Sequence, residues 1–156
     1  MVCMLDATLC LLIKDKRICL GLKKRKLGMG KYNGFGGKRE KGETIEQAAV
    51  RELFEEAQVK ATEYCKVGEL TYLFPKMKEW DQVVHVYLVT EWEGEPRETL
   101  EMGVEWFSLK NIPFDKMWDN DKIWLPLVLE GKKVKGSVVH DEDKTASHTI
   151  HVVDDF

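Results

Sequence analysis

The 156-residue sequence lacks metal-binding cysteine spacing: none of its four cysteines is placed for a metal. Cys3, Cys10, Cys19 and Cys65 form no CxxC pair, which excludes a zinc finger. Cys10 and Cys19 fall within apolar runs and read as buried free thiols. Long hydrophobic runs are missing as well. The N-terminal ATLCLLI is too short to span a bilayer, and Asp6 precedes it where a signal peptide carries positive charge. Reduced cysteines without an export signal point to the cytosol. A strong charge of either sign is also lacking. The formal net charge of -3 gives no broad attraction to nucleic acid or to an anionic membrane. His85, His140, His148 and His151 show no HExxH spacing and read as strand residues. No linker, repeat or low-complexity tract divides the chain, so residues 1–156 are expected to form a single domain.

What is present reads as strands around helices. ATLCLLI (7–13) and RICLGLKK (17–24) are apolar and joined by KDK, the pattern of a hairpin. ELTYLF (69–74), QVVHVYLVTEW (82–92) and VEWFSL (104–109) are rich in β-branched and aromatic residues. Residues 44–57 and DKIWLPLVLE (121–130) read as helices, with Pro126 tolerable only near the start or at a kink. The tail, KKVKGSVVH to TASHTIHVVD around DEDK, reads as a closing hairpin. This order predicts an α/β/α sandwich on a mixed sheet.

The helix over 44–57 carries the chemistry. Thr44 and Gln47 fit a capping box at its start. Glu52, Glu55 and Glu56 share one side of it, continuing the stripe begun by Ile45, Ala48 and Ala49. Like charges at this spacing cost roughly 0.2–0.5 kcal/mol per pair, and the negative end of the helix dipole adds to the penalty. Arg51 can offset one of them through Glu55, not all three. A hard divalent cation with oxygen ligands can, and magnesium in particular shares its coordination with substrate phosphates. Upstream, NGFGGKREKGE supplies Gly34, Gly36, Gly37 and Gly42, a backbone bare enough to approach a metal or a phosphate.

Gly37, Glu43, Arg51, Glu52, Leu53, Glu55, Glu56 and Val59 stand in the register of the Nudix box, and the chain resembles the Nudix hydrolases. Gln58 departs from the pattern, standing where it has a helix-ending glycine; a left-handed residue there costs roughly 1–2 kcal/mol without glycine. LGLKKRK, KYNGFGGK, GETIE, IPFDKMW and WLPLVLEGKK extend the likeness to the MutT-like members that hydrolyse oxidised purine nucleoside triphosphates. The resemblance implies a Nudix fold that uses Mg2+, with Mn2+ as a substitute. The product pair is a nucleoside monophosphate and pyrophosphate. The implied metal ligands are the Gly36 carbonyl, Glu52, Glu55, Glu56 and Glu101. Thr8, Lys23 and Asn33 match residues that touch the nucleotide, and Gly37 and Lys38 of KYNGFGGK are counted with them. Tyr72, in place of Phe, and Phe74 match aromatic wall positions, and Trp118 matches a stacking tryptophan.

In MWDND, Asn120 and Asp121 align with two acids that read the purine. Those acids accept two oxidised bases by exchanging protonation states, whereas an amide has fixed donor and acceptor ends. Asn120 is therefore expected to narrow base choice, retaining 8-oxo-dGTP and weakening the oxidised adenine nucleotide. Asn120 or Asp121 can also serve as a helix N-cap.

The implied mechanism places Glu52, Glu55 and Glu56 on the metal, with one of them as the base and Arg51 orienting a glutamate. Glu56 is the expected indispensable ligand, and Lys23 steadies phosphate. The chain is read as a cytoplasmic monomer whose partner is a small nucleotide, without nucleic acid or membrane. Three alternatives stay open: a Nudix hydrolase of another substrate (normal dNTP, dinucleoside polyphosphate or nucleotide sugar), a non-catalytic nucleotide-binding module, and a nucleic-acid binder acting through KKRKLGMGK (23–31).

Overall fold

The computed structural model describes residues 4–25, 29–142 and 144–156. The two apolar runs form β1 (Leu5–Lys14) and β2 (Arg17–Lys23), an antiparallel pair. Asp15 and Lys16 between them both take positive φ, 53° and 60°. That is the two-residue turn whose twist suits a hairpin, so the KDK turn is where the sequence placed it. The two strands share only Leu12↔Cys19, Ile13↔Ile18 and Lys14↔Arg17 before they part. The short β3 (Tyr32–Asn33) and the glycine segment behind it enter this opening, pairing Gly21 with Asn33, Cys10 with Phe35 and Ala7 with Lys38.

The remaining elements are α1 (Ile45–Ala57), β4 (Lys60–Leu73), β5 (Gln82–Glu93), β6 (Met102–Ser108), α2 (Asp121–Leu129), β7 (Lys133–Asp141) and β8 (Lys144–Val153). They complete an eight-stranded sheet in the order β3-β2-β1-β5-β4-β7-β8, with β6 alongside β2. The β1/β5 and β4/β7 pairs are parallel and the others antiparallel, so the sheet is mixed. Because strand residues alternate between faces, β1 feeds two cores. Cys10 and Leu12 pack with Ala49, Leu53 and Ala57 of α1. Leu11 packs on the opposite side with Trp124, Leu125 and Val128 of α2. One helix on each face is the expected α/β/α sandwich.

Three details differ from the sequence expectations. β4 begins at Lys60 rather than Glu69, its first half interrupted by register shifts between Ala61 and Gly68. β3 is too short to leave a pattern. Pro126 lies in the interior of α2, in a helix of nine residues that has few bonds to lose. The capping box holds: Gln47 N donates to Thr44 Oγ1 (3.1 Å) and Thr44 N to Gln47 Oε1 (2.9 Å). Gln58 ends the helix in the left-handed conformation (φ 62°, ψ 28°), its N–H and side-chain Nε2 both donating to the Phe54 carbonyl. Cys10 and Cys19 are buried free thiols, each pushed up to about 12 by burial; Cys3, and residues 26–28 of the basic stretch, lie outside the described residues.

Candidate active site

Since α1 turns its apolar stripe to the sheet, the glutamates one and two turns later divide by depth. Glu56 is buried and Glu52 half-buried, while Glu55 stands at the exposed rim. Burial pushes the Glu56 carboxyl up to about 7; the Gly36 N–H and Lys23 pull it down, and Glu52 and Glu101 push it further up. Glu52 is also raised, by burial first, with Arg51 opposing. Arg51 reaches two of the three helix glutamates and Glu43 before the helix. Its Nε and Nη2 reach Glu43 Oε2 and Oε1 at 2.7 and 2.9 Å, and Nη1 reaches Glu52 at 2.8 Å and Glu55 at 3.3 Å. The bidentate partner is thus Glu43, a residue whose role sequence reasoning passed over. Arg51 holds the Glu43 carboxyl down at about 2.

The glycine segment lies directly over these acids. Gly36 N donates to Glu56 Oε1 at 2.8 Å. The Thr8 hydroxyl lies 3.3 Å from both the N–H and the carbonyl of Gly37, which fastens the segment to β1. A Cβ at Gly36 would overlap the Thr8 carbonyl, and one at Gly37 would stand 2.5 Å from the Glu52 carboxyl carbon. Close approach, rather than positive φ, is what demands glycine at these two positions. Asn33 Oδ1 accepts from Gly34 N (2.8 Å), and the Lys38 carbonyl accepts from Arg51 (3.0 Å).

Glu101, one residue before β6, is paired with Arg25 through its side chain. Among the described residues, no three carboxylate, imidazole or thiolate groups stand together as a ready metal cage. The donor set itself is all oxygen, which suits a hard ion such as magnesium that keeps waters and shares substrate phosphates. Two neighbouring carboxyls both raised by burial, Glu56 and Glu52, are also the environment a cation would relieve.

A cavity of about 810 Å³ joins this cluster to the aromatic region. Its lining includes Thr8, Lys23, Asn33, Gly36, Gly37, Lys38, Glu52, Glu55, Glu56, Tyr72, Phe74, Glu101, Trp118, Asn120 and Asp121. Every site residue expected from the sequence is there except Arg51, which braces the glutamates from behind. At the far end Asn120 and Asp121 are buried, and burial pushes the Asp121 carboxyl up to about 7. Asn120 occupies the N-cap position of α2 without making a side-chain cap bond. Its side chain turns inward instead, to Tyr72 and Trp124.

Several lining residues escaped the sequence reading, Trp80, Gln82, Met102, His140 and Lys31 among them. His140, in β7 as expected of a strand residue, stacks on Tyr72 and Phe74 with ring centroids 5.6 and 4.9 Å away and meets Trp118 edge-on. Lys31 places its Nζ 5.2 Å from the Trp118 ring centroid, a cation–π contact. Their partners lie far away in sequence. The only local hint was Lys31 beside the Tyr32–Asn33 pair.

The NUDIX domain model matches residues 1–128. Over 150 residues the chain is 42% identical to the oxidized purine nucleoside triphosphate hydrolase of Danio rerio, covering 96% of each. It is 40% identical over 80 residues to the 8-oxo-dGTP diphosphatase of Escherichia coli (strain K12), covering 51% of this chain and 60% of that one. The crystal structure of a MutT protein from Bacillus halodurans shares the fold, with a TM-score of 0.84 at 22% identity over 94% of this chain and 97% of that one. With a family match over most of its length and a relative this similar over nearly all of it, the chain belongs to the Nudix family.

Proposed function

We propose that the chain hydrolyses oxidised purine nucleoside triphosphates, 8-oxo-dGTP foremost, to monophosphate and pyrophosphate, and so clears damaged nucleotides before they reach DNA. The observation that carries this reading is the cavity itself. One end holds the glutamates under the glycine segment, and the other holds Trp118 with the buried Asn120–Asp121 pair. A purine triphosphate has the same polarity, an aromatic base at one end and a polyanion at the other. The related Danio rerio and Escherichia coli proteins are named for such substrates.

The reading assigns Mg2+ to Glu52, Glu55, Glu56, Glu101 and the Gly36 carbonyl. The ion would neutralise the triphosphate and lower the pKa of a bound water. The chain's own residues do the rest. Glu56, buried and accepting a hydrogen bond from Gly36 N, is held in a fixed position at the cavity wall. Arg51 fixes Glu52 and Glu55 by hydrogen bonds to their carboxylates. Lys23 and Lys38 line the cavity wall and offer charge to phosphate. Trp118, with Lys31 over its ring, offers a face for the base. No helix among the described residues is long and apolar enough to cross a membrane. We take residues 1–156 to act as one domain, as a monomer, in the cytosol.

Pyrophosphate release from a panel of oxidised and normal dNTPs, a dinucleoside polyphosphate and a nucleotide sugar, with and without Mg2+, tests the reading. Metal-dependent release with 8-oxo-dGTP as the best substrate supports it. Preference for another member of the panel would move the chain to a different Nudix activity. No release from any of them would make it a nucleotide-binding module.

A further inference from the structure

Residues 39–43 carry the chain from the glycine segment to α1, and 39–42 are exposed. Among the described residues, the hydrogen bonds that tie this stretch to the sheet both end on Asp6 of β1. Arg39 N donates to the Asp6 carbonyl at 2.9 Å, and Arg39 Nη2 to Asp6 Oδ2 at 3.2 Å. The other carboxylate oxygen, Oδ1, stands 3.0 Å from His85 Nε2 on β5. Lys66 Nζ lies 2.9 Å from Nδ1 of the same ring. An ammonium only donates, so Nδ1 accepts and the ring proton sits on Nε2, donated to Asp6. The His85 hydrogen bond, against burial and with help from Arg39, holds the Asp6 carboxyl below its ordinary 3.8. Arg39 passes the constraint on. Its Nη1 donates to the Glu43 carbonyl at 3.2 Å, and the Glu43 carboxylate takes the bidentate grip of Arg51. The links from His85 through Asp6, Arg39, Glu43 and Arg51 to Glu52 are therefore consecutive.

We propose that Asp6 is a positioning residue for the glutamate cluster: held by His85, it fixes Arg39, and through Arg39 and Glu43 it sets where Arg51 presents Glu52 and Glu55 to a metal ion. This rests on the proposed function, which assigns Mg2+ to those glutamates. Arg51 belongs to α1, but its firmest grip is on Glu43, which belongs to the exposed stretch. Two nitrogens of one planar group are fixed to one carboxylate, so the guanidinium follows Glu43 wherever that residue goes. Arg39 keeps Glu43 in place because separate nitrogens of its own fork serve Asp6 and the Glu43 carbonyl at once. Residues that support metal ligands in this way change metal affinity or activity by about 10- to 100-fold when removed. The Asp6–Arg39 pair itself is part-exposed and adds little to global stability. Its loss is felt in the cluster and not in the fold.

The test uses the full chain as wild type, Asp6→Ala, Arg39→Ala and the double variant. It measures steady-state kinetics on 8-oxo-dGTP with Mg2+, the Kd of Mn2+ alone by electron paramagnetic resonance, and the urea midpoint. Each single variant should lower kcat by about 10-fold with KM within about 3-fold of the wild type. Mn2+ should bind about 10-fold more weakly, and the urea midpoint should hardly move. The double variant should lose little more than either single one, because both break the same link. Asp6→Ala removes a negative charge and Arg39→Ala a positive one. A simple field effect on the cation would therefore have opposite signs in the two variants, whereas loss of positioning has the same sign in both. Unchanged kcat in an active enzyme, opposite shifts in Mn2+ affinity, or losses that add in the double variant would each overturn the inference. So would a urea midpoint that falls in step with kcat. A wild type that releases no pyrophosphate, with Mn2+ binding weakened in both variants, would leave the positioning standing and overturn the hydrolase reading. Turnover of 8-oxo-dGTP with Mn2+ affinity unmoved by either substitution would do the opposite.

Discussion

Arg51 grips Glu43 with two hydrogen bonds while its remaining nitrogen bridges Glu52 and Glu55. One guanidinium thus ties the segment before α1 to two of the acids on the helix, a geometry that a lysine's point charge cannot reproduce. Arg51→Lys should therefore lower kcat by about 10- to 100-fold, with a smaller change in KM, because positioning rather than binding is lost. Steady-state kinetics on 8-oxo-dGTP, with circular dichroism to verify folding, checks this.

The pH dependence of stability follows from Glu56 and Asp121. Burial raises both carboxyls to about 7, from ordinary values of 4.5 and 3.8. A carboxyl whose folded pKa lies above its unfolded one favours folding while protonated. The stabilisation is full below the unfolded value and is lost as pH rises through the folded one. In EDTA the Tm should accordingly fall between about pH 5 and pH 8, and Glu56→Gln should flatten part of that slope. Mg2+ at pH 8 should restore stability to the wild type and not to the variant. Thermal melts across pH measure all three.

Gln58 adopts a left-handed conformation at the end of α1 (φ 62°). Glycine takes that conformation without strain, so Gln58→Gly should stabilise the fold by about 1 kcal/mol. The gain is reduced by the lost bond from Gln58 Nε2 to the Phe54 carbonyl. Urea denaturation of the two proteins decides the sign.

The parts of this molecule that are periodic or closely spaced were legible in its sequence. The capping box at Thr44, the apolar run of β1 with its KDK turn and the i, i+3, i+4 spacing of Glu52, Glu55 and Glu56 are local patterns, and each appears in the structure as read. The depth ordering of those glutamates was not legible. It depends on the splaying of β1 from β2 and on the glycine segment that fills the gap. Glu43 as the bidentate partner of Arg51, eight positions away, needed the same loop geometry. The first half of β4 escaped because its bulges and exposed charged residues break the strand alternation. His140 and Lys31 escaped because their contacts with Trp118 cross the fold.

Glu56 is the buried carboxylate on which the glycine segment rests and the acid nearest to neutrality in the cluster. Pyrophosphate release from 8-oxo-dGTP by Glu56→Gln, at saturating Mg2+ and with folding verified, tests the catalytic assignment most directly. A loss of at least ~10²-fold in kcat is expected, the range for removing a general base or metal-bound acid. Turnover close to that of the wild type would contradict it.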